Sequence, residues 1–516
     1  MIFSLAGCQR YEPAPELGEK SMVGRQEEHD PGGGSGPGKS RNSEDGNGWE
    51  EKDGPPAQNG WPADNGQEND GQPGNADGEI GIEAGNSESA LAKAESEGIV
   101  IRTKPERTPV KVKGIYVSAY VAGMEDLMDE IIAQIDRTEL NAVVIDVKDD
   151  HGRVTFAMDS PSAQAIGACV NYIPDMKTLA AKLKEHDIYM IARIPAFRDP
   201  YLAEARPDWC CTLADGTVFR DRNKLAWVNP YKKEVWNYLV EIGKMAGEAG
   251  FDEIQFDYIR FCTEKGMQNV VFSEEDTQGK SRQEIILEFV QYAYDQLAAE
   301  GLFVSADVFG VVMSGGADAH AVGQDYGEMA ASLDYICPMI YPSHYGDGYF
   351  GIAHPDTQPY QTIAAALNQS KQTLAWAKEM AERKKTAGTK KDEVNAAGAA
   401  GNEAAITGNK AAGAGNEVTI LGDAADGTGN KVIIQEGQAA APENGDDAQE
   451  AESDSLQQAI VRPWLQDFTA SYLKHHIAYG PQQVREQIQA VYDAGYEEWI
   501  LWDAKVTYHY DGLLLE

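Results

Sequence analysis

The sequence predicts an α/β fold, a (β/α)8 TIM barrel formed by residues 110–384 and 456–516. Eight short runs rich in β-branched and aromatic residues alternate with amphipathic stretches of helical periodicity. This alternation is the pattern of consecutive βαβ units, which place parallel strands in one sheet. A closed barrel of eight such units needs about 250 residues, and the two segments together provide them.

The predicted strands share one design, in which the first half is apolar and the C-terminal end carries polar side chains. They cover residues 113–120, 142–150, 189–197, 252–261, 303–310, 334–341, 460–468 and 497–504. The helices predicted between them cover residues 124–138, 174–186, 230–248, 281–299, 361–382 and 481–494. Asn229-Pro230 and Gly480-Pro481 start two of these helices, since each joins a capping residue to a proline at the first helical position.

Two segments have a composition that predicts disorder. Residues 9–109 form an acidic linker, and residues 385–455 form a low-complexity insert between helix 6 and strand 7. The first 100 residues contain 20 Asp and Glu against 7 Lys and Arg, and the insert contains 13 against 5. Both are rich in Gly, Asn and Ala with almost no aromatic residues, so burial cannot offset the entropy lost on ordering them.

Residues 1–8 are interpreted as the remnant of a lipoprotein signal peptide. Leu5-Ala6-Gly7-Cys8 has the form of a bacterial lipobox, in which the cysteine becomes the lipid-bearing N-terminus after cleavage. Only seven residues precede Cys8 and none of them is basic, which suggests a start codon further upstream. A chance occurrence of these four residues is the alternative. We therefore expect a lipid anchor at Cys8 and a position on the extracytoplasmic face of the cell membrane.

The sequence gives little support to other kinds of partner or to other kinds of reaction. The formal net charge of −39 argues against nucleic acid or an anionic membrane surface, because both attract basic surfaces. No apolar run is long enough to span a membrane, and the odd number of cysteines after Cys8, with no CxxC, defines no disulfide framework. The nine His residues show no HxH or HExxH spacing, and GxSxG and GxxxxGK[ST] motifs are missing. The sequence thus predicts no metal and no cofactor, and neither esterase nor nucleotide hydrolase activity.

Polar side chains collect at the predicted C-terminal ends of the strands, which meet at one mouth of a barrel. Strand 2 carries three of them at every second position, which places them on one face. The candidate site residues along the strands are Asp146, Lys148, Asp150, Arg193, Asp257, Arg260, Asp307, Tyr341, His344, Gln466, Asp467, Trp502 and Asp503. A structural ion pair of Lys148 or Arg193 with Asp146 or Asp150 is the alternative to substrate contact for those two cations.

Several carboxylates around one opening suit the hydrolysis of a glycosidic bond. The reaction needs one acid that protonates the leaving oxygen and one carboxylate that acts as nucleophile or activates water. Asp257, near Gln255 and Arg260 in an otherwise apolar strand, and Asp307, beside small residues, are the leading candidates. The aromatic residues expected to be exposed for stacking on sugar rings, unless they pack in the core, are Trp227, Tyr258, Tyr341, Tyr345, Trp464 and Trp502.

From Lys113 to the C-terminus, without the insert, the chain resembles a bacterial family of putative glycoside hydrolases, TIM barrels distantly similar to α-amylase-type barrels. The motifs that carry the resemblance are KGIYVSAY, NAVVIDVKDDHG, AWVNPY, FDEIQFDYIRF, SADVFG, PMIYPSHY, RPWLQDF and WILWDA, with FDYIRF the most specific element. The resemblance implies carbohydrate hydrolysis, with Asp257 as nucleophile, Asp307 at the position of the acid and Asp467 orienting the substrate. The amylase-type plan has Glu at the acid position, so the shorter Asp307 departs from it.

The sequence therefore predicts a lipid-anchored glycosidase that acts on a polysaccharide or cell-wall glycan outside the cytoplasm. Asp257, Asp307 and Asp467 are the predicted catalytic residues. The predicted substrate-binding residues are Asp146, Lys148, Arg193, Arg260, Tyr341, His344, Gln466, Trp502 and Asp503. The alternative from another class is a non-catalytic cell-surface barrel that only binds glycans, and the oligomeric state is left open.

Overall fold

The structure is a computed structural model in which residues 107–404 and 458–515 are described. Within these ranges eight parallel strands close into a barrel, which confirms the predicted (β/α)8 fold. The strands are β1 Lys113–Val117, β2 Ala142–Asp146, β3 Tyr189–Pro195, β4 Glu253–Asp257, β5 Phe303–Phe309, β6 Tyr335–Met339, β7 in two parts, Ile460–Val461 and Trp464–Gln466, and β8 Trp499–Trp502. Cys8 and the predicted linker up to residue 106 lie outside the described residues.

The strands follow one another around the barrel in chain order. Pairing proceeds stepwise from β1 to β6, and β8 pairs with β1. β7 joins the two ends, because Ile460–Val461 pairs with β6 and Trp464–Gln466 pairs with β8. Trp464 also lies opposite Met339 of β6. The described sheet is therefore closed, and every barrel strand has two neighbours.

Helices follow the strands on the outside of the barrel. The helices that pack around the barrel are α1 Glu125–Ile135, α2 Met176–Glu185, α3 Lys233–Ala249, α4 Arg282–Ala298, α5 Tyr326–Ala330, α6 Pro359–Ala404 and α7 Pro481–Asp493. Short helices lie in the loops at Ala119–Ala122, Pro161–Ala165, Pro200–Ala205, Glu274–Thr277 and Gly316–Val322, with 3₁₀ turns at Pro207–Trp209, Met267–Asn269, Gly310–Ser314, Pro342–His344, Tyr349–Gly351, Pro355–Thr357 and Tyr510–Gly512. The loops after β3 and β4 also join through a small antiparallel pair, Thr212–Leu213 with Val270–Val271.

Several helix ends differ from the sequence prediction by a few residues, α5 has no predicted counterpart, and two of the differences have a clear physical cause. α3 begins at Lys233 rather than at Pro230, because the Asn229 side chain accepts a hydrogen bond from the Tyr231 amide and forms a turn first. α6 continues to Ala404, well into the segment assigned to the insert, whose Lys, Glu and Ala residues favour a helix. The rest of the insert, from residue 405 to 455, lies outside the described residues. No helix in the described ranges is long and apolar enough to cross a membrane.

Strand alternation decides which side chains face the barrel interior. On β2, Val143 and Ile145 pack in the large core shared with the helices, whereas Ala142 and Val144 belong to a separate interior cluster. Asp146 has the same parity as Val144, so it faces inward at the C-terminal end of the strand. The polar strand ends that the sequence predicted therefore reach the mouth of the barrel.

A buried ion network closes the opposite end of the barrel. Arg462, fully buried, donates from Nη1 to both carboxylate oxygens of Glu253 at 2.9 and 3.0 Å and from Nε to Glu498 at 2.8 Å. Its guanidinium carbon also lies 3.7 Å from the centroid of the Tyr335 ring. This network joins β4, β6, β7 and the start of β8, and it holds the strands together away from the mouth.

Candidate active site

Arg193 of β3 organises the mouth of the barrel. Its Nη1 donates to Oδ1 of Asp146 at 2.7 Å, and its Nη2 donates to Oδ1 of Asp150 at 3.1 Å. Oδ2 of Asp257 accepts from both Nε, at 3.0 Å, and Nη2, at 2.6 Å. The side chain of Arg193 is 2% exposed, so these charges interact in a largely dry setting. Three carboxylates around one guanidinium leave an excess of negative charge when all are ionised.

The strand register explains why these groups meet. Asp146 lies directly opposite Arg193 across the β2–β3 pair, and Pro195 lies opposite Asp257 across the β3–β4 pair. Because inward-facing residues of parallel strands form layers, the side chains of the last layer converge. Asp150 reaches the same guanidinium from the loop after β2.

The pKa of Asp146 differs from that of an ordinary aspartate. Burial raises the pKa of Asp146 to about 6, and the neighbouring negative charge of Asp150 adds to the effect. The guanidinium of Arg193 and the Tyr116 hydroxyl, which donates to Oδ2 at 2.6 Å, oppose this rise. The carboxyl group of Asp146 therefore changes its charge close to neutral pH.

The carboxylate of Asp257 is fixed at both oxygens. Oδ2 accepts from Arg193, and Oδ1 accepts from the backbone amide of Tyr258 at 2.6 Å. Tyr258 adopts a left-handed backbone conformation, with φ of 48°, which is costly for an aromatic residue.

Asp307, in the C-terminal half of β5, is buried. Its Oδ1 accepts a hydrogen bond of 2.6 Å from the indole Nε1 of Trp464 on β7. Burial raises the pKa of Asp307 well above its ordinary value, and the negative charge of Asp257 raises it further. Phe256 pairs with Ala306 in the β4–β5 register, so Asp257 and Asp307, each one residue further along, lie side by side on neighbouring strands. Asp307 therefore favours the protonated form beside a carboxylate that is paired with a cation.

Three further predicted residues border this cluster. Burial raises the pKa of Tyr341 well above its ordinary value, with added contributions from the charges of Asp307 and Asp257. The His344 ring meets the Tyr341 ring edge-on at 4.9 Å, and burial lowers the pKa of His344 to about 4, which leaves it neutral at pH 7. The centroid of the Trp502 ring lies 5.6 Å from the guanidinium carbon of Arg193.

Lys148 lies outside the Arg193 cluster. Its ammonium group is fully buried, 2.8 Å from Oδ2 of Asp199, and it also donates to the carbonyl oxygen of Pro195. Asp199, which sequence reasoning missed, accepts in addition from the Leu202 amide at 2.8 Å and caps the short helix after β3. This pair ties the loop after β2 to the loop after β3.

Arg260 lines a pocket beside the cluster. Its guanidinium carbon lies 4.4 Å from the Phe309 ring centroid and 5.0 Å from the Trp227 ring centroid. The pocket is lined by Arg198, Asp221, Asn223, Trp227, Tyr258, Arg260, Cys262, Thr263, Glu264 and Phe309. Sequence reasoning found Arg260, Trp227 and Tyr258 but missed Arg198, which comes from the loop after β3. The pocket adjoins Asp257 through Tyr258 and offers both charged and aromatic surfaces.

The predicted residues of β7 and β8 hold loops in place. Gln466 accepts from the Ser343 amide at 3.1 Å and donates to Asp356 at 3.0 Å. Asp467 accepts from the backbone amide of His509 and contacts its imidazole Nδ1, at 2.9 and 2.5 Å. Asp503 accepts from the amides of Lys505 and Thr507. The roles predicted for these three residues in catalysis and binding stay predictions.

The expected exposure of the aromatic residues is wrong for five of the six. The five buried residues are Trp227, Tyr341, Tyr345, Trp464 and Trp502, whereas Tyr258 is half-buried. Their rings pack against one another and against arginines, as in the 5.4 Å contact between Trp464 and Trp502. Core packing, the alternative that the sequence left open, describes them better.

One group in the described ranges has the spacing of metal ligands. Asp347, His354 and His475 place one donor atom each within 4.8 Å of one another. They lie on the loops after β6 and β7, and Asp347 and His475 are 128 residues apart in sequence. No local motif could reveal this group, which explains why the sequence predicted no metal site.

Comparison with known proteins identifies the family of the chain. A family described as "Putative glycosyl hydrolase domain" matches residues 114–383 and 440–508, which leaves out most of the insert. No curated protein matches the chain.

Similar solved structures include a hypothetical protein from Ruminiclostridium thermocellum, at 37% identity over 38% of this chain and 97% of that one, with a TM-score of 0.35. The PgaB (BpsB) glycoside hydrolase domain from Bordetella bronchiseptica has 11% identity over 79% of this chain and 100% of that one, with a TM-score of 0.45. The spore cortex-lytic enzyme SleL from Bacillus megaterium has 10% identity over 83% of this chain and 80% of that one, with a TM-score of 0.37. The family match covers well over half of the sequence, and the chain therefore belongs to the family of putative glycosyl hydrolase domains.

Proposed function

We propose that the barrel hydrolyses glycosidic bonds of a polysaccharide or cell-wall glycan outside the cytoplasm, with Asp257 and Asp307 as the reacting groups. The proposal rests on one observation: two carboxyl groups at the same level of neighbouring strands have different environments. Asp307 is buried and its pKa is raised, whereas Asp257 is paired with the guanidinium of Arg193. Such a pair supplies an acid and a base in one site. Family membership supports the same class of reaction.

In the bond-breaking step, protonated Asp307 gives its proton to the glycosidic oxygen while the bond from that oxygen to the anomeric carbon breaks. Its Oδ1 accepts from Trp464, so the proton is assigned to Oδ2. Asp257 either attacks the anomeric carbon or takes a proton from an attacking water molecule. In the first course, water then hydrolyses the glycosyl ester, and the ionised Asp307 accepts the proton of that water.

The remaining carboxylates stabilise the charge that develops on the sugar. The transition state of glycoside hydrolysis resembles an oxocarbenium ion, which is positively charged. Asp146 and Asp150 add negative charge around the single cation Arg193. Preorganised charges of this sign lower the barrier most when water is excluded, as it is around Arg193.

The first test measures reducing-end release by the full chain on a panel of polysaccharides and cell-wall glycans. We expect turnover by the parent, and we expect Asp307→Asn to lower kcat by about 10²–10⁴-fold because it removes the acid. Asp257→Asn should lose at least as much activity. Asp126→Asn, an exposed substitution in α1, is the matched control and should keep the parent rate. Proton NMR of the first-formed product would then distinguish retention from inversion.

Two results would contradict the proposal in different ways. Glycan binding without turnover in the parent would support the non-catalytic binding barrel. Turnover that survives Asp257→Asn would overturn the site assignment but leave the barrel a glycosidase.

The position outside the cytoplasm is tested through Cys8. The lipobox sequence and the long acidic linker after it support a tether between a membrane anchor and the barrel. With the gene expressed from its own locus, the parent should incorporate labelled fatty acid and sediment with membranes. Cys8→Ser should lose both properties, and unchanged sedimentation of that variant would refute the anchor.

A further inference from the structure

A second polar cluster lies outside the carboxylate site, on the loops after β6 and β7. Nδ1 of His475 lies 2.9 Å from Oδ2 of Asp347, and Nδ1 of His354 lies 3.0 Å from Oδ1 of the same carboxylate. The two imidazole rings are stacked, with centroids 3.8 Å apart and planes tilted by 37°. One carboxylate thus faces two imidazoles at once.

Ordinary hydrogen bonding does not fully explain this arrangement. Nδ1 of His354 is shielded from solvent but makes no well-directed hydrogen bond, although Asp347 is close. A simple pair in the same protein looks different: Nδ1 of His186 hydrogen-bonds to both oxygens of Asp136, at 3.0 and 2.9 Å, with one imidazole only. Two neighbouring imidazole nitrogens and a carboxylate oxygen, all within 4.8 Å of one another, form a donor set that suits a cation.

Hydrogen bonds within and between the loops hold these side chains in place. The Gly348 amide donates to the carbonyl oxygens of Ile352 and Ala353, at 2.9 and 3.2 Å, and closes the loop between Asp347 and His354. Asp356, two residues after His354, is buried and accepts from the amide of Ile477, two residues after His475, at 3.3 Å. Preformed loops of this kind reduce the cost of assembling a metal site.

We propose that Asp347, His354 and His475 bind a divalent transition-metal ion of the zinc type. Two imidazoles and one carboxylate suit Zn²⁺, which takes four tetrahedral ligands and leaves one position here for water. Mg²⁺ and Ca²⁺ prefer sets of oxygen ligands and fit less well. In a tetrahedral site with bonds of about 2.0–2.1 Å, ligand atoms are about 3.3 Å apart, so the donors, all within 4.8 Å, need only small movements.

The ion would join the loop after β6 to the loop after β7 at the mouth of the barrel. Asp347 and His354 belong to the first loop, and His475 belongs to the second. The proposal does not depend on the glycosidase reaction, because none of the three residues belongs to the Arg193 cluster.

The test measures metal binding by the full chain, produced without a histidine tag and stripped with a chelator. Titration calorimetry with ZnCl₂ and metal analysis after dialysis should give one Zn²⁺ per chain. Co²⁺ in the same site should show the intense visible absorption of four-coordinate cobalt. His354→Gln, His475→Gln and Asp347→Asn should each weaken Zn²⁺ binding by at least about tenfold, since the loss of a mere outer-shell partner costs 10–100-fold.

His476→Gln is the matched control, because His476 is adjacent to His475 but contacts the carbonyl oxygen of Leu473 instead. It should bind Zn²⁺ like the parent. The metal-free variants should melt at the temperature of the metal-free parent, which shows that they fold. The proposal is overturned if the parent binds no stoichiometric Zn²⁺, if His354→Gln and His475→Gln bind it unchanged, or if His476→Gln loses it to the same extent.

Discussion

Arg193 places a single positive charge among three aspartates, and its position determines how each of them can act. Asp257 is held by two guanidinium nitrogens, while Asp146 and Asp150 receive one each. Asp307 makes its hydrogen bond to Trp464, and its pKa is raised by burial and by Asp257. Asp257 and Asp307 are therefore proposed to act differently because their carboxyl groups have different hydrogen-bond partners.

Tyr116→Phe should shift the ionisation of Asp146. The Tyr116 hydroxyl stabilises the ionised carboxylate of Asp146 and holds its pKa down, so its loss should raise that pKa above about 6. The acidic limb of the kcat/KM profile should then move to higher pH. Carbon-13 NMR titration of the Asp146 carboxyl group measures the same shift directly.

Tyr508→Phe is the control for this change, because the Tyr508 hydroxyl donates to the carbonyl oxygen of Tyr116 and not to a carboxylate. It should leave the titration of Asp146 in place. An equal shift in both variants would show that packing, and not the hydrogen bond, sets the pKa.

The individual site residues could be predicted only in part. Inward parity and position in the C-terminal part of a strand are sufficient to predict that Asp146, Arg193, Asp257 and Asp307 face the barrel interior near the mouth, and their roles in the reaction stay predictions. For Lys148, predicted to bind substrate, the sequence left open an ion pair with Asp146 or Asp150, but its partner in the structure is Asp199 in the next loop. The conformation of the loops decides which partner Lys148 has. It also decides that Asp347, His354 and His475 come together, and no strand or helix pattern in the sequence describes loop conformation.

At the level of secondary structure, β4 and β7 are joined at the closed end of the barrel by the ion network of Arg462. Burial raises the pKa of Glu253, although Arg462 opposes this effect. Arg462 lies in the short interruption of β7, where the strand passes from pairing with β6 to pairing with β8. The interruption of β7 thus places the guanidinium of Arg462 where it contacts Glu253 of β4 and Glu498 just before β8.

Arg462→Ala should destabilise the barrel by about 3–5 kcal/mol, because it leaves Glu253 and Glu498 buried without their cation. Urea unfolding followed by tryptophan fluorescence measures the change in the free energy of unfolding. Arg383→Ala removes an arginine from an exposed pair with Glu379 in α6 and should change the free energy of unfolding by less than about 0.5 kcal/mol. If the two substitutions changed the free energy of unfolding equally, the buried network would contribute no more stability than an exposed ion pair.

Strands and helices were predicted more reliably than their ends. Each βαβ unit is encoded locally by the change from β-rich apolar runs to helical periodicity, and all eight strands occur where that change predicts them. The end of α6 was missed because glycine and asparagine in the insert indicated a break, whereas the surrounding Ala, Lys and Glu residues extend the helix to Ala404.

For the molecule as a whole, the barrel is a closed sheet with a long excursion of the chain between α6 and β7. The side chain of Gln458 donates to the carbonyl oxygen of Leu374 at 2.8 Å, and the Ala459 amide donates to the carbonyl oxygen of Ala330. The chain therefore returns to α6 close to where the helix still packs on the barrel.

Replacement of residues 384–457 by an eight-residue Gly/Ser linker should leave the barrel intact. The helix from Leu374 to Arg383 extends about 14 Å, and eight linker residues reach up to about 26 Å, so the ends can be joined. We expect the melting temperature to change by no more than a few degrees and the glycan turnover to be retained. Circular dichroism melting and the reducing-end assay check both expectations, and loss of folding would show that the excursion contributes to the barrel.

The same junction has a consequence for how sequences of this family diverge. The free energy needed to close a flexible loop grows only with the logarithm of its length, so adding or removing residues between Leu374 and Gln458 costs little stability. Related chains should accordingly vary in length here more than between any two of their neighbouring strands, and a foreign domain grafted at this point should be tolerated.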